Sequence, residues 1–250
     1  MNDDASGGGR SPCATCGACC RSYLVPVCGQ DVWRIATSQR LDPEAFLFAC
    51  PQDAPAPDGF RLRHDGATHG LALDKQGPLR ATQPCVFLLR LGGGHDRCGV
   101  YADRPVVCRA YPMSAWGERV AQRDDALCPS DAWTAADVSL PAWGVALQRL
   151  RMQFDVYHEV VARWNARVAA EPDVSFALRE YLAYLLSVHT RLARLDDELG
   201  AAALARVEAE WRRRGGTSWL HYLGRARRIV DDFYPGVAPQ PLRLGGAAMA

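Results

Sequence analysis

The chain has no cysteine after Cys128, no apolar run near the length of a membrane span, and almost no excess of either charge. Its 29 Lys plus Arg face 28 Asp plus Glu. A split near residue 136 leaves 14 basic against 15 acidic residues before it and 15 against 13 after it. Neither half therefore offers the basic field that nucleic-acid binding draws on. The longest apolar stretches, such as Tyr181 to Leu186, fall far short of the roughly 18 residues that cross a bilayer. Met1 to Pro12 is acidic and glycine-rich, without the apolar core of a secretory leader. These absences predict a cytoplasmic protein with no membrane and no nucleic-acid partner. What remains is an ordinary globular composition, 48% apolar and 23% charged, and ten cysteines confined to the first half. A reducing compartment keeps most of them as thiols, which makes metal binding the leading reading of that half.

The second half reads as helices. Leu147, Leu150, Phe154, Tyr157, Val161, Trp164 and Val168 are spaced three and four apart, one continuous helical stripe. Glu171, Pro172 and Asp173 interrupt it, and a second stripe runs from Val174 through Leu178, Tyr181, Leu185, Val188, Leu192 and Leu195 to Leu199. Two such helices joined by a short turn make an antiparallel hairpin. A shorter stripe, Leu204, Val207 and Trp211, is expected to end at Gly215 and Gly216. A last helix then carries Trp219, Tyr222, Ala226, Ile229 and Phe233 up to Pro235. His158, His189 and His221 are isolated in sequence and read as structural or surface groups.

The first half reads as short elements: a helix over Asp31 to Gln39, a helix from Asp42-Pro43-Glu44 to Cys50-Pro51, and a strand pair, Phe60–Arg63 with Leu71–Asp74. A strand over Val86–Leu91 follows, with its turn at Gly92–Asp96. The fold class is α+β, a small cysteine-rich metal-binding domain followed by an α-helical bundle. The expected organisation is a disordered stretch over 1–12, the cysteine domain over 13–135, the bundle over 140–234 and a flexible tail over 235–250.

The densest chemistry is Cys13-x2-Cys16-x2-Cys19-Cys20, four thiols in eight residues. Two-residue spacing lets the backbone fold round one ion so that sulfurs converge on it, at about 2.3 Å each for zinc. Iron–sulfur clusters use the same device. The run is not the C-x3-C-x2-C of a radical-SAM loop, and it lacks the fourth cysteine and proline of the bacterial ferredoxin run. On an extended backbone neighbouring side chains diverge, so Cys19 and Cys20 are expected to face different environments.

More thiols follow at Cys85 and in Cys98-Gly-Val-Tyr101-Ala-Asp-Arg104-Pro105-Val-Val-Cys108-Arg109, with a late Cys128-Pro129. With these motifs residues 13–129 resemble the YkgJ or CxxCxxCC cysteine-cluster family of zinc- or iron-chelating proteins. The resemblance implies a chelated iron, as an ion or an iron–sulfur cluster, or alternatively zinc. It also implies a ligand set of Cys13, Cys16, Cys19, Cys20, Cys85, Cys98, Cys108 and Cys128. Some relatives are called flagellin lysine N-methylases. Cys28 and Cys50 lie outside the pattern and read as small apolar residues. A thiolate-rich centre carries about two negative charges, which Arg104 and Arg109 are placed to offset. His95, in its glycine-rich turn, reads as solvent-facing.

Two classes of function fit. In one, the centre is a redox or catalytic iron site that modifies a substrate, with a protein substrate or partner recognised through the helical half. In the other, the metal is a structural staple or a delivered cargo and the chain is not an enzyme. No nucleotide loop, serine elbow or paired-histidine zinc motif occurs in the sequence.

Overall fold

The computed structural model describes residues 16–77, 83–93, 95–116, 119–129, 132–133, 141–211, 213 and 216–237. The expected disordered segment 1–12, Cys13 and all but 235–237 of the expected tail lie outside the described residues. The architecture is α+β: small antiparallel sheets and short helices first, long helices after. The chain parts into two compact units, residues 1–48 with 71–152, and residues 49–70 with 153–250. Residues 49–70 thus group with the later helices, and residues 141–152 with the cysteine-rich unit.

In the first unit, helix α1 spans Ala18–Ser22 and α2 spans Gly29–Gln39. Helix α2 buries Val32 and Ile35, one turn apart, and between them they fix its inner face. The helix expected over residues 42–50 is corrected: Pro43–Ala45 is a single tight turn capped by Asp42, and Leu47–Pro51 is strand β1. Proline starts the turn, but Leu47 and Phe46 then fill the core in extended geometry, so tertiary packing overrides the local helical pattern. Strand β2 is Phe60–Arg61 and β3 is Thr68–Leu73. They pair antiparallel with Phe60 opposite His69, a tighter hairpin than the expected partner segment of residues 71–74. The sheet order is β1-β3-β2.

Strands β4, Leu88–Arg90, within the expected strand, and β5, Asp96–Cys98, form a hairpin, so the expected turn over Gly92–Asp96 gives up Asp96 to a returning strand. A tight turn at Tyr101–Asp103 leads to α3, Val106–Ala110. Strands β6, Met113–Trp116, and β7, Arg119–Gln122, make a further hairpin that the sequence pattern did not reveal. Ala110 and Met113 pack with Trp143 and Leu147, the first turns of helix α4, Pro141–Ala170.

In the second unit the later turns of α4 are joined by α5, Leu178–Leu199, α6, Ala201–Trp211, and α7, Thr217–Asp231. The helix expected from Val174 begins at Leu178, and Val174 is exposed. Tyr157, Trp164, Tyr181 and Leu185 are wholly buried, as their stripes require. The β2 hairpin is locked onto this bundle by side chains of α4. Trp164 Nε1 donates to the Arg61 carbonyl at 2.7 Å, and Asn165 accepts from the Arg61 N–H at 2.9 Å. Phe60 stacks on Tyr181 at 4.0 Å. Gly216 is not a left-handed helix terminator: it has φ −61° and starts α7, and a Cβ there would meet Glu210 Cβ at 2.7 Å. Gly215 lies outside the described residues. Among the described residues no helix is long and apolar enough to cross a membrane.

Candidate metal centre

The site is assembled from five short segments of the first unit. Gly17 opens α1 in left-handed geometry, φ 62°, and turns the cysteine run into a helix. A Cβ at this position would lie 2.9 Å from Asp96 Cβ and 3.1 Å from Leu88 Cδ1, so glycine lets α1 approach the β4–β5 hairpin. Arg21 seals that approach, pairing with the largely buried Asp96 and donating to the Cys16 carbonyl at 3.0 Å. The extended backbone expected at Cys19 and Cys20 is therefore corrected. Adjacent side chains on a helix are about 100° apart, and the Cys19 thiol is held by a hydrogen bond with Cys20.

The Cys20 carbonyl receives two donors, the Cys85 N–H at 2.7 Å and Lys75 Nζ at 3.2 Å. Lys75 Nζ also donates to the Tyr23 carbonyl at 2.5 Å. Lys75 and Cys85 are antiparallel bridge partners, which fixes the lysine opposite the buried thiol. Cys98 sits on β5 opposite Leu88, whose N–H donates to the Cys85 carbonyl at 2.9 Å. Cys108 rides on α3. That helix is capped from outside its own chain segment: Asp31 Oδ1 accepts the Val106 N–H at 2.9 Å. Cys128 follows a strap held by two tyrosines. Tyr23 donates to the Asp125 carbonyl at 2.5 Å, and the Leu127 N–H donates to the Tyr111 hydroxyl at 2.6 Å. The two rings meet edge-on at 5.8 Å.

The thiols feel one another. Burial pushes Cys108 well up, and Cys19, Cys85 and Cys98 push it further. Burial takes Cys85 up to about 11, with Cys98 and Cys19 adding to the rise and Lys75 opposing it. Cys98 is raised by burial, against the pull of Arg104. Cys128 is raised by burial, while the Trp133 indole and the Tyr111 hydroxyl favour its thiolate, and Cys19 and Cys16 oppose it. The Cys19 charge, if formed, opposes ionisation of each of these four thiols.

The arginines divide the work. The Arg104 guanidinium lies 3.9 Å over the Tyr101 ring, its Nη1 donates to the Tyr101 carbonyl at 2.9 Å, and its buried Nε has no hydrogen-bond partner among the described residues. Arg109 instead donates to the Arg104 carbonyl at 3.1 Å and to the Ala102 carbonyl, bracing the turn before α3. Burial lowers its pKa, and the neighbouring Arg34 and Arg104 charges lower it further. Cys28 is wholly buried at the start of α2 with its sulfur 3.3 Å from Asp31 Oδ2, a structural place. Cys50 contacts the Pro51 carbonyl at 3.6 Å, and His95 is exposed in its turn.

Among the described residues no three Cys, His, Asp or Glu side chains stand close enough together to hold an ion. In donor type, the thiols suit a zinc ion or an iron–sulfur cluster. Soft sulfur donors from separate segments share one neighbourhood, and an orphaned arginine N–H and a buried ammonium stand beside them. Sequence reading singled out the thiols and Arg104 but not Asp31 or Lys75. The signal for Asp31 was its place in the first turn of a helix, where a carboxylate satisfies backbone donors.

A thiol cluster flanked by buried cations is the equipment of a chelating domain. Residues 12–129 match the model of the CxxCxxCC family, described as a putative zinc- or iron-chelating domain. The match takes in all ten cysteines and stops before α4. No curated protein and no solved structure matches the chain.

Proposed function

We propose that the chain chelates its metal through thiolates of both cysteine constellations, Cys13, Cys16, Cys19 and Cys20 of the first and Cys85, Cys98, Cys108 and Cys128 of the second. The supporting observation is that the backbone ties the cysteine segments together: the Cys85 N–H donates to the Cys20 carbonyl at 2.7 Å, and Leu88, bonded to the Cys85 carbonyl, pairs with Cys98 across the β4–β5 hairpin. Thiolate donors suit zinc and iron–sulfur clusters. Eight candidate thiols exceed the four of a closed zinc site, which favours a polynuclear iron centre over a single zinc. Because the thiols are not drawn to ligand spacing, metal uptake on this reading completes the local fold.

Anaerobic purification with elemental analysis and visible spectroscopy tests this. Iron with a broad absorption that dithionite bleaches is expected, and Cys85→Ser or Cys108→Ser should lose at least half the metal while Cys50→Ser keeps it. Folded, metal-free protein with all ten thiols freely titratable would overturn chelation. Colourless protein with stoichiometric zinc would overturn the choice of iron. That result would also move the function from a redox or protein-modifying role to a structural or metal-delivery one.

A further inference from the structure

Lys75 is the chain's single lysine; the other 28 of its 29 basic residues are arginine. It is only 7% exposed. Its ammonium touches two backbone carbonyls, those of Cys20 and Tyr23. Among the described residues no carboxylate comes within ion-pair distance of it. Burying a full charge without a counter-charge is costly, and neutral carbonyls compensate only part of the lost hydration. Surface arginines here have acidic partners: Arg21 has Asp96, Arg123 has Asp125, Arg225 has Glu198 and Arg227 has Glu159. The latent anion facing Lys75 is the thiol of Cys85, its partner across the antiparallel bridge, while Cys20 meets it through its carbonyl.

We infer that Lys75 is the resident counter-cation of the thiolate centre, a positioning residue whose buried charge is balanced only when the neighbouring cysteines hold metal as thiolates. This rests on the chelation reading above. A divalent ion among four thiolates leaves two negative charges, and a compact ammonium is a point charge that fits a narrow buried place better than a planar guanidinium. The bridge pairing with Cys85 sets its position along the strand, and the bond to the Cys20 carbonyl ties that position to α1. The lysine thus links the two cysteine constellations and supplies charge between them. The pull of Lys75 on the Cys85 thiol has the sign this requires.

The two roles, charge and peg, are separated by Lys75→Gln, which keeps N–H donors for the Cys20 and Tyr23 carbonyls and removes the charge, with Lys75→Met as a second variant. Metal affinity is read by chelator competition on the full chain, using zinc and iron(II) as probes, and stability of the metal-free chain by urea titration. The expected result is opposite signs. In Lys75→Gln the metal-free midpoint stays at or above that of the unmodified chain, because an uncompensated buried charge is gone. Affinity falls tenfold or more, a loss of about 1.4 kcal/mol. An affinity loss below tenfold overturns the inference, and so does a parallel loss of stability and affinity, which marks a peg without an electrostatic role. An unmodified chain that binds neither metal overturns the chelation reading itself, so the two failures are told apart by the control.

Discussion

Asp31→Ala is the sharpest test of how the site is held. The carboxylate is wholly buried. Its Oδ1 accepts from Arg34 Nη2 at 2.7 Å and from the Val106 N–H at 2.9 Å. Its Oδ2 accepts from the Cys28 N–H and lies against the Cys28 sulfur, both at 3.3 Å. Alanine removes one charge of a buried pair, a loss of about 3–5 kcal/mol when the remaining charge is fully enclosed. Arg34 is not fully enclosed: its side chain is 22% exposed, and it keeps bonds to the Asp103 and Arg104 carbonyls. That moves the expected loss to the lower end, about 3 kcal/mol, including the orphaned Val106 N–H. Asp31→Asn keeps an acceptor for Val106 and should lose about 1–2 kcal/mol. Urea unfolding of the metal-free protein, followed by circular dichroism, gives both values. Because Val106 begins the five-residue helix that carries Cys108, Asp31→Ala should also lower metal content, read by elemental analysis. A loss below about 1 kcal/mol for alanine, or an equal loss for asparagine, would refute the claim that this buried charge sets α3 in place.

Gly17→Ala should destabilise the first unit by about 1–2 kcal/mol from left-handed geometry alone, and reduce metal content because a Cβ would press on Asp96 and Leu88; unchanged urea midpoint and metal content would show that α1 can retreat from the hairpin. In the second unit the buried His189 and the half-buried Asp196, both on α5, respond to acid with opposite sign. Burial lowers His189 from 6.5 to about 3, so its contribution is present above 6.5 and lost as pH falls through that window. Burial raises Asp196 from 3.8 to about 6, so the penalty of ionising it in the fold grows as pH rises from about 4 to 6 and is relieved by acid. Between pH 7 and 4 the two effects are about 3 and about 2 kcal/mol, so Asp196→Asn should steepen the acid loss of stability, measured by urea titrations across that range. Parallel profiles for the variant and the unmodified chain would contradict it.

Period and spacing made the helical half legible. The stripe from Leu147 to Val168 lies within α4, and the one through Tyr181 and Leu195 is α5. Both are long enough for a three-and-four pattern to exclude other readings. Strand β4 and its glycine-rich turn were legible, but the returning strand β5 was not. The short elements were not. Over residues 42–50 the pattern suits a helix, and only the core places of Phe46 and Leu47 make it a turn and a strand. At Cys19-Cys20 the deciding event is the left-handed turn of Gly17, one residue before the helix it permits. The thiols themselves were legible because metal ligands are a matter of residue type and spacing. Asp31 and Lys75 were not, because a buried charge is defined by what long-range folding brings to it. The bonds from Asp31 to Val106 and from Lys75 to Cys20 span 75 and 55 residues.

Those long-range charges explain why the metal-free cluster can exist and why it should take up metal. Beside the thiols, Lys75 is buried and forms no ion pair among the described residues, and the half-buried Arg104 encloses an Nε donor that has no acceptor, so the metal-free site holds positive charge with little to offset it. Burial opposes ionisation of Cys85 and Cys98, while Lys75 pulls on the first and Arg104 on the second. A divalent ion with four thiolates carries two negative charges, equal and opposite to those two cations. Arg109 is already engaged with backbone carbonyls and is not needed for that balance. On the chelation proposed above, uptake would convert an unbalanced site into a neutral one, with release of the thiol protons, and the electrostatic penalty of enclosing a charged cluster would be met inside the same fold. The orphaned Arg104 Nε donor gains an acceptor in the same step if the sulfurs close round the ion on its side.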